Sequence, residues 1–298
     1  MHRLDLIDPS SHELLSSVPA RLDPDALEIL SAVAGDGREA RPTLESHGTY
    51  VLAVLLFPGP LGADDRVVYH ELDVIAAPHM LVTVRKTASD GDIADLSVLD
   101  GKHESHPCGL LVNELVDAAA DSYLDLVDRL YVEIDALEDH VDDLPSVMLR
   151  QRLSSLRHEM LHARRNASAT RAAIRRVVDG RLDLGNDDAL FPREAEHAFA
   201  DTYDTLVRVI EELDVARDLL SSVRDYLQAK IAENQSEIVK KLTVVASLVL
   251  VPTLITGFYG QNFTGVFEKG YWTLTVSIGL IVGTTLAQLA FFRWKRWL

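Results

Sequence analysis

The chain of 298 residues lacks several features that would direct it to common functional classes. It has one cysteine, Cys108, so an internal disulfide is excluded and nothing indicates an oxidising compartment. It has 29 basic and 46 acidic residues, which gives a formal net charge of −17. This charge argues against a nucleic-acid partner and is suited to a domain that interacts with cations. No Gly-x-x-x-x-Gly-Lys-Ser/Thr loop is present, so no ATP site is predicted, and no cofactor is expected.

Charge is nearly absent from the last fifth of the chain. Leu242–Phe267 is a run of 26 residues without a charged side chain, and Gly270–Phe292 is a second run of 23. Only Glu268 and Lys269 separate the two runs. Because a helix of about 20 apolar residues crosses the hydrocarbon of a bilayer, each run is long enough to span it. The sequence therefore predicts a transmembrane hairpin over residues 242–298, ending in a short basic tail.

Basic residues indicate which side of the bilayer the ends of this hairpin occupy. Lys240 and Lys241 precede the first run, and Arg293, Lys295 and Arg296 follow the second. Since basic flanks stay on the cytoplasmic side, both termini are predicted to be cytoplasmic and the turn to lie outside. The beginning of the chain has no apolar core of signal-peptide length, so we expect the part before the hairpin to remain in the cytoplasm. The expected location is the plasma (cell inner) membrane.

Residues 1–110 have the pattern of a mixed α/β unit. Apolar runs bounded by turn residues predict strands at Tyr50–Phe57, Val67–Ala76 and Met80–Arg85. The first of these strands is expected to end at the turn residues Pro58-Gly59-Pro60. Helical spacing predicts a helix over Asp23–Ala34, with Asp23 as its cap and Pro24 in its first turn. Together these elements predict a cytoplasmic α/β domain.

Residues 111–241 are predicted to be mostly helical. Apolar residues recur every three or four positions over 121–143, a segment that also holds nine acidic residues and one arginine. Beyond Pro145, residues 146–181 hold nine arginines against two acidic residues. A short connection between consecutive helices favours antiparallel packing, so we expect the acidic and the basic helix to lie side by side.

A third helical segment continues towards the first uncharged run. Its apolar seam extends from Phe199 to Ile238, and no proline interrupts residues 193–251. This pattern predicts one helix from Arg193 to Tyr259, which at 1.5 Å per residue would be about 100 Å long. The alternative is two helices with a bend near Asn234-Gln235.

One face of the first uncharged run is small and weakly polar. Ala246, Leu250, Thr253 and Gly257 recur on it at steps of three and four residues. Small residues let transmembrane helices approach closely, which is one explanation of this face. The other is a pore wall in a symmetric oligomer, where small side chains leave room for ions and Thr253 offers an oxygen. The spacing alone leaves both explanations open.

The end of this run has a distinctive sequence. Residues 251–263 read Val-Pro-Thr-Leu-Ile-Thr-Gly-Phe-Tyr-Gly-Gln-Asn-Phe, which closely resembles the end of the first transmembrane helix in the CorA family of magnesium transporters. The resemblance in architecture covers nearly the whole chain. It implies an α+β membrane protein with an N-terminal α/β cytoplasmic domain, long cytoplasmic helices and a C-terminal two-helix transmembrane hairpin. It also implies a homopentamer whose first spans line a central pore.

The tripeptide that defines this family is Gly-Met-Asn. Gly260 and Asn262 match it in this chain, whereas Gln261 departs from it. A ring of Asn262 carbonyl oxygens can hydrogen-bond the waters that magnesium gives up reluctantly, without holding the ion too tightly to conduct. Gly260 permits a sharp turn at the helix end, and Tyr259 can brace that turn. We therefore expect Tyr259, Gly260, Gln261 and Asn262 to form the ion-selective mouth of the pore.

The resemblance implies uptake of Mg²⁺ through the pore, and because no ATP-binding loop is present, we expect the driving force to be electrochemical. It leaves open whether Mg²⁺ is also a regulatory ion. Gln261 leaves open the transport of zinc or another divalent ion, with or without proton coupling, because a second amide near the mouth changes how the hydrated ion is handled. Related transporters with altered tripeptides are associated with zinc. Carboxylates gathered over 135–143 are candidates for regulatory cation binding, but no motif assigns them, and a solvated face paired with arginines explains them as well.

Two clusters and the long helices suggest functions of other classes. His158-Glu159-Met160-Leu161-His162 matches the His-Glu-x-x-His helix of zinc metalloproteases, so a membrane-anchored zinc hydrolase is a distant alternative. That match is short and lies among arginines that would repel a cation. His103, His106 and Cys108 lie within six residues of one another but show no fourth ligand. A non-conducting, membrane-tethered interaction protein built on the long helices is the remaining alternative.

Overall fold

The computed structural model describes residues 2–18, 21–34, 40–101, 106–142, 144–182, 190–260 and 271–297. The chain divides into two compact units, Met1–Arg224 and Asp225–Leu298. Two of its helices, Arg193–Gly260 and the described part of a second from Leu274 to Trp294, are long and apolar enough to cross a membrane. This finding agrees with the two spans predicted from the uncharged runs.

The first unit contains a five-stranded sheet. Its strands are β1 His2–Ile7, β2 Thr43–Ser46, β3 Val51–Leu61, β4 Val67–Ala77 and β5 Met80–Arg85. They lie in the order β1-β5-β4-β3-β2, in which β1 pairs with β5 in parallel and the other pairs are antiparallel. The three predicted strands are confirmed, whereas the two edge strands, β1 and β2, were not predicted.

β3 continues through Pro58-Gly59-Pro60, where the sequence predicted its end. That prediction was wrong because the ladder with β4 becomes irregular there, with a register shift between Pro58 and Leu61, and a proline without an N–H is tolerated at such an irregularity. Gly59 is required by a close approach. A Cβ at this position would lie 3.0 Å from the Val68 carbonyl oxygen and 3.1 Å from Cε1 of His70.

One face of the sheet packs against two short helices, α1 Ser11–Ser17 and α2 Pro24–Ser31. The predicted helix over Asp23–Ala34 is thus confirmed in a shorter form, with Asp23 at the N-cap and Pro24 in the first turn. The helices and strands share one buried cluster, formed by Leu14, Val18, Ala26, Leu30, Tyr50, Leu52, Ile75, Met80, Val82 and Val84. Burial of an aliphatic side chain of this size contributes roughly 1.5–3 kcal/mol, so this cluster is a main source of the domain's stability.

A buried ionic cluster lies at one end of this core. The Lys86 ammonium is 2.5 Å from Oε1 of Glu71 and 2.9 Å from Oδ2 of Asp73. It also donates a hydrogen bond to the carbonyl oxygen of Ile29, near the C-terminal end of α2. Burial raises the pKa of the Asp73 carboxyl to about 7, although the nearby Lys86 charge acts in the opposite direction. The cluster thus ties β4 and the residue that follows β5 to α2.

Four long helices follow the sheet. They are α3 Cys108–Asp139, α4 Ser146–Val178, α5 Arg193–Gly260 and α6 Tyr271–Trp294. α3 packs on β3 and contacts α4. α5 is a single helix of 68 residues that passes through Asn234-Gln235. The prediction of one helix is therefore confirmed, and it replaces the alternative of two helices with a bend at that point.

The expected pairing of acidic and basic helices is only partly realised among the side chains that the structure describes. Arg152 of α4 contacts Glu133 of α3 at 2.6 Å, but it also contacts Asp65, in the turn between β3 and β4, at 2.7 Å. Arg164 of α4 pairs instead with Asp214 of α5 at 2.8 Å. The arginines of α4 therefore connect it to three different elements.

Candidate ion pathway

α5 and α6 pack against each other within the second unit through one side of each helix. Val244 of α5 and Phe292 of α6 are buried, and Nε2 of Gln288 donates to the Ser247 carbonyl oxygen at 3.4 Å. Further along α5, the half-buried residues lie on the same side of the helix as Val244. They are Ser247, Leu248, Val251, Pro252, Ile255 and Tyr259. This three-to-four-residue repeat is the seam by which the two helices of the hairpin meet.

The predicted pore-lining residues lie outside this seam. Ala246, Leu250, Thr253 and Gly257 are all exposed, and Leu250 is 65% accessible. A Cβ added at Gly257 would meet nothing within 4 Å. Packing of α5 on α6 therefore does not account for the small, weakly polar face. In a single chain this face remains exposed, so another subunit, lipid or a water-filled channel can lie against it.

The hydroxyl groups on this part of α5 are satisfied within the helix. Oγ1 of Thr253 donates to the Val249 carbonyl oxygen at 2.6 Å, and Oγ1 of Thr256 approaches the carbonyl oxygens of Pro252 and Thr253 at 3.0 and 2.9 Å. In these hydrogen bonds the hydroxyl group uses its proton, and the lone pairs of the Thr253 oxygen stay available as acceptors. Thr253 can therefore accept a hydrogen bond from a water in front of this face without leaving an unsatisfied donor in an apolar medium.

The predicted mouth is described only in part. Tyr259 and Gly260 form the last turn of α5, where Tyr259 is half-buried and its ring lies 5.9 Å from that of Phe258 in an edge-to-face arrangement. A Cβ at Gly260 would meet nothing within 4 Å. Gln261 and Asn262 lie outside the described residues, so their role as the ion-selective group stays a prediction.

The zinc-protease pattern on α4 takes part in packing. Glu159 is buried, while His158 is exposed, and the ring of His162 lies 5.1 Å from that of Tyr69 on β4. Burial, and then the nearby Glu159 carboxylate, raise the pKa of Tyr69. Within the described ranges, His158, Glu159 and His162 do not belong to any group of three converging metal ligands.

The second predicted cluster of soft ligands gives no accessible thiol. Cys108 is buried at the start of α3, with its Sγ 3.3 Å from the Met80 carbonyl oxygen. Burial raises the pKa of this thiol to about 12. His103 lies outside the described residues. Cys108 is therefore a core residue of the sheet–helix contact.

A group that sequence analysis did not single out lies on the sheet. Ligand atoms of His70, Asp90 and Asp92 converge within 4.8 Å of one another. His70 and Asp90 are 20 positions apart, and no short motif contains both. Only the pairing of β4 with β5 could have indicated that they meet.

Comparison with known proteins connects this geometry to a family. The family model described as CorA-like Mg²⁺ transporter protein matches residues 11–296, which include the sheet, the long helices and both candidate spans. This chain belongs to the CorA family. Members of the CorA family are transporters and not enzymes, so family membership gives no support to the zinc-hydrolase alternative.

Relatives of this CorA-family chain include proteins named for different ions. The cobalt/magnesium transport protein CorA of Thermotoga maritima is 26% identical over 189 residues, covering 63% of this chain and 52% of the relative. The putative metal ion transporter YfjQ of Bacillus subtilis is 26% identical over 187 residues, covering 61% and 56%. The zinc transport protein ZntB of an Enterobacter species is 23% identical over 298 residues, covering 98% and 86%. The matches to the first two relatives span about half of those proteins' lengths.

Two solved structures share the fold. The complete structure of the CorA magnesium transporter from Methanocaldococcus jannaschii has a TM-score of 0.80 at 19% identity, covering 99% of this chain and 91% of that one. The full-length CmaX protein has a TM-score of 0.68 at 20% identity, covering 99% and 88%. The predicted fold is therefore confirmed: an α/β N-terminal domain, long helices and a two-helix C-terminal end.

Proposed function

We propose that this CorA-family chain transports divalent metal cations across a membrane, as a homo-oligomer in which α5 lines the pore. The observation that carries the proposal is the division of the α5 surface. One side packs on α6, while the face of Ala246, Leu250, Thr253 and Gly257 is left exposed. Several copies of such a helix around an axis would bring small side chains and threonine oxygens to a common channel.

The proposed ion is Mg²⁺, and the proposed mouth consists of Tyr259, Gly260, Gln261 and Asn262. One Asn262 carbonyl oxygen from each subunit would bind the water shell of the ion instead of the bare ion. A divalent ion entering an inside-negative compartment gains about 4.6 kcal/mol per 100 mV, twice the value for a single charge. This driving force suffices for uptake without a nucleotide.

The proposed assembly is a homopentamer in the plasma membrane, with both termini in the cytoplasm. Basic residues at both ends of the hairpin support this orientation: Lys240 and Lys241 before the first span, and Arg293, Lys295 and Arg296 after the second. The pentamer number comes from the family resemblance. Cross-linking of the purified protein in a mild detergent would test it, and a ladder that ends at any other number would contradict it.

Ion uptake into proteoliposomes tests the proposed function. Vesicles loaded with a magnesium-sensitive dye would receive the wild-type protein or Asn262→Ala, with an inside-negative potential. We expect uptake by the wild type and its loss in the variant, because the variant cannot hydrogen-bond the hydrated ion. Wild-type oligomers of normal size that move neither Mg²⁺ nor Zn²⁺ would refute transport.

A matched pair of glycine substitutions tests whether α5 lines the pore. Gly257 on α5 and Gly283 on α6 are both exposed, and a Cβ at either meets nothing within 4 Å in the single chain. Gly257→Val and Gly283→Val carry the same cost in helix propensity. We expect Gly257→Val to abolish uptake by filling the channel and Gly283→Val to retain at least half of it. Equal activities in the two variants would remove α5 from the pore wall.

Zinc is the second candidate ion. The resemblance to the zinc transport protein ZntB, which extends over 98% of this chain, and the presence of Gln261 both favour it. The same vesicles loaded with a zinc-sensitive dye, with and without a pH gradient, separate the candidates. Zinc flux that follows the pH gradient, with no Mg²⁺ flux, would replace the first assignment by proton-coupled zinc transport.

A further inference from the structure

The turn after β5 places two carboxylates beside a histidine of β4. Nε2 of His70 lies 3.0 Å from Oδ2 of Asp90, and a carboxylate oxygen of Asp92 completes a group whose ligand atoms are all within 4.8 Å of one another. Throughout the ranges that the structure describes, this is the one group of three histidine, cysteine or acidic side chains that converges so closely. All three residues belong to the first unit, whereas the residues proposed for the pore belong to the second.

The strand register explains why these residues meet. β4 and β5 are antiparallel, and their pairing ends where Leu72 lies opposite Arg85. One residue past this pair, the Lys86 N–H still donates to the Glu71 carbonyl oxygen at 3.2 Å, so the chain after β5 continues beside β4 as it approaches His70. The turn that begins at Ala88 therefore starts beside the histidine, and only a short return is needed to place its carboxylates against the ring.

The histidine side of the group is held in place. The His70 side chain is 13% exposed, and Cε1 of its ring would lie 3.1 Å from a Cβ at Gly59 on the adjacent strand. The ring thus occupies the space that a larger residue at Gly59 would fill, with Nε2 directed to Asp90. A ligand held in one position by packing loses less freedom when it binds a metal than an exposed, mobile side chain does.

Hydrogen bonds also hold the chain that leads into the turn and the Asp90 carboxylate. Both carboxylate oxygens of Asp8 accept hydrogen bonds from Thr87, which fixes the end of β5. In the turn, the Asp92 N–H donates to Oδ1 of Asp90 at 3.0 Å. Since Oδ1 is engaged, Oδ2 is the oxygen that faces the histidine. Asp92 itself is exposed and can move onto an ion.

We propose that His70, Asp90 and Asp92 form a binding site for a transition-metal dication of the zinc or cobalt class. An imidazole nitrogen with two carboxylate oxygens is a donor set that suits zinc, whereas Mg²⁺ takes oxygen ligands and retains several waters. Tetrahedral coordination with bonds of about 2.0–2.2 Å needs ligand atoms roughly 3.3 Å apart. The His70–Asp90 distance of 3.0 Å is slightly shorter than this spacing, so these two groups would have to separate a little to admit the ion. A small movement of exposed Asp92 would supply the third ligand, with the fourth position open to water.

A second histidine provides the internal comparison. Nδ1 of His47 lies 2.8 Å from Oδ2 of Asp23, and its side chain is 18% exposed, so this pair resembles His70–Asp90 in distance and burial. Among the residues that the structure describes, no third ligand joins it, and its ring stacks on Tyr50 at 5.0 Å between centroids. If His70 served only as the partner of one carboxylate, the two histidines would behave alike towards metals. The third ligand is what distinguishes them.

Zinc binding by the full-length protein tests the site. The metal-free protein in detergent would be dialysed against buffered zinc, and bound metal counted for wild type, His70→Gln, His47→Gln and Asp92→Asn. We expect the wild type and His47→Gln to bind one more zinc per chain than His70→Gln, and Asp92→Asn to bind that zinc at least tenfold more weakly. The site should retain zinc in a thousandfold excess of Mg²⁺.

Three results would overturn the proposal. The first is equal zinc binding by wild type and His70→Gln, with both eluting as the same oligomer. The second is loss of the additional zinc to the excess of Mg²⁺, which would mean that the donor set does not select a transition metal. The third result concerns Asp92→Asn, which changes only an exposed side chain and can be measured even if His70→Gln does not fold. An Asp92→Asn protein with unchanged zinc affinity would decide against the site.

Discussion

Arg152 joins three elements of the first unit, so its removal gives a quantitative test of how that unit is held together. Nε and Nη2 of Arg152 bind both carboxylate oxygens of Asp65 at 2.8 and 2.7 Å, and Nη2 also binds Glu133 at 2.6 Å. The Asp65 side chain is only 5% exposed. Arg152→Met retains much of the packing of the side-chain stem but leaves the Asp65 carboxylate buried without a cation.

The expected loss follows from this burial. Removing one partner of a fully buried pair costs about 3–5 kcal/mol, because the remaining charge is uncompensated. Arg152 is 31% exposed, so solvent screens part of the interaction and we expect about 2 kcal/mol. For a unit of this size, about 2 kcal/mol corresponds to a fall of roughly 4–8 °C in the unfolding midpoint.

A double-mutant cycle measures the interaction itself. Asp65→Asn keeps the shape of a residue whose φ of 59° asparagine also adopts readily. We expect the Arg152→Met and Asp65→Asn effects to fall short of additivity by about 1–2 kcal/mol in thermal unfolding of the detergent-solubilised protein. Arg217→Met is the control, because Arg217 is 47% exposed and its pairs should contribute less than about 1 kcal/mol. Additive single effects, or equal effects at Arg152 and Arg217, would refute the reasoning.

Three further predictions concern the interior of the same unit. In Gly109→Ala the new Cβ would lie 2.3 Å from the Leu190 carbonyl oxygen, so we expect a loss of about 1–3 kcal/mol, and a raised unfolding midpoint would contradict this. Because burial raises the pKa of Cys108 to about 12, a maleimide at pH 8 should label it only after unfolding, and rapid labelling of the native protein would disprove the burial. The pKa of Asp73 is raised by burial above its unfolded value, so its contribution to stability is complete below about pH 4 and is lost as the pH rises through about 7. Asp73→Asn should therefore flatten the dependence of the unfolding midpoint on pH between 5 and 8, and an unchanged slope would count against the shift.

The parts of the fold that were predictable are those with a strong local signal. Uncharged runs identify the two spans, and an apolar repeat without proline identifies α5, because neither pattern depends on contacts with distant residues. β1 and β2 lack such a signal: β1 is mostly exposed, and β2 has only four residues. Both are edge strands, and each pairs with one neighbouring strand only: β1 with β5, and β2 with β3. Their formation depends on that pairing, which the local sequence does not reveal.

The candidate site was predictable to a similar extent. The spacing of Ala246, Leu250, Thr253 and Gly257 indicated one face of α5, and the structure leaves that face free of α6. The choice between helix packing and a pore wall could not be made from spacing, because it depends on what lies beside the helix. Gln261 and Asn262 were predicted from resemblance and remain to be tested by transport.

The two histidine patterns show why a local motif and a binding site are different kinds of evidence. His158 and His162 are four residues apart on a helix, and any such pair lies on one side of it, so the spacing says little about a metal. A third ligand must come from that helix or another element, and here Glu159 is buried while the ring of His162 packs against Tyr69. His70 has no motif, yet an antiparallel register brings two carboxylates to it from a turn 20 residues away. Convergence of ligand atoms from separate segments is a property of the fold, so the group without a motif is the better candidate for a metal.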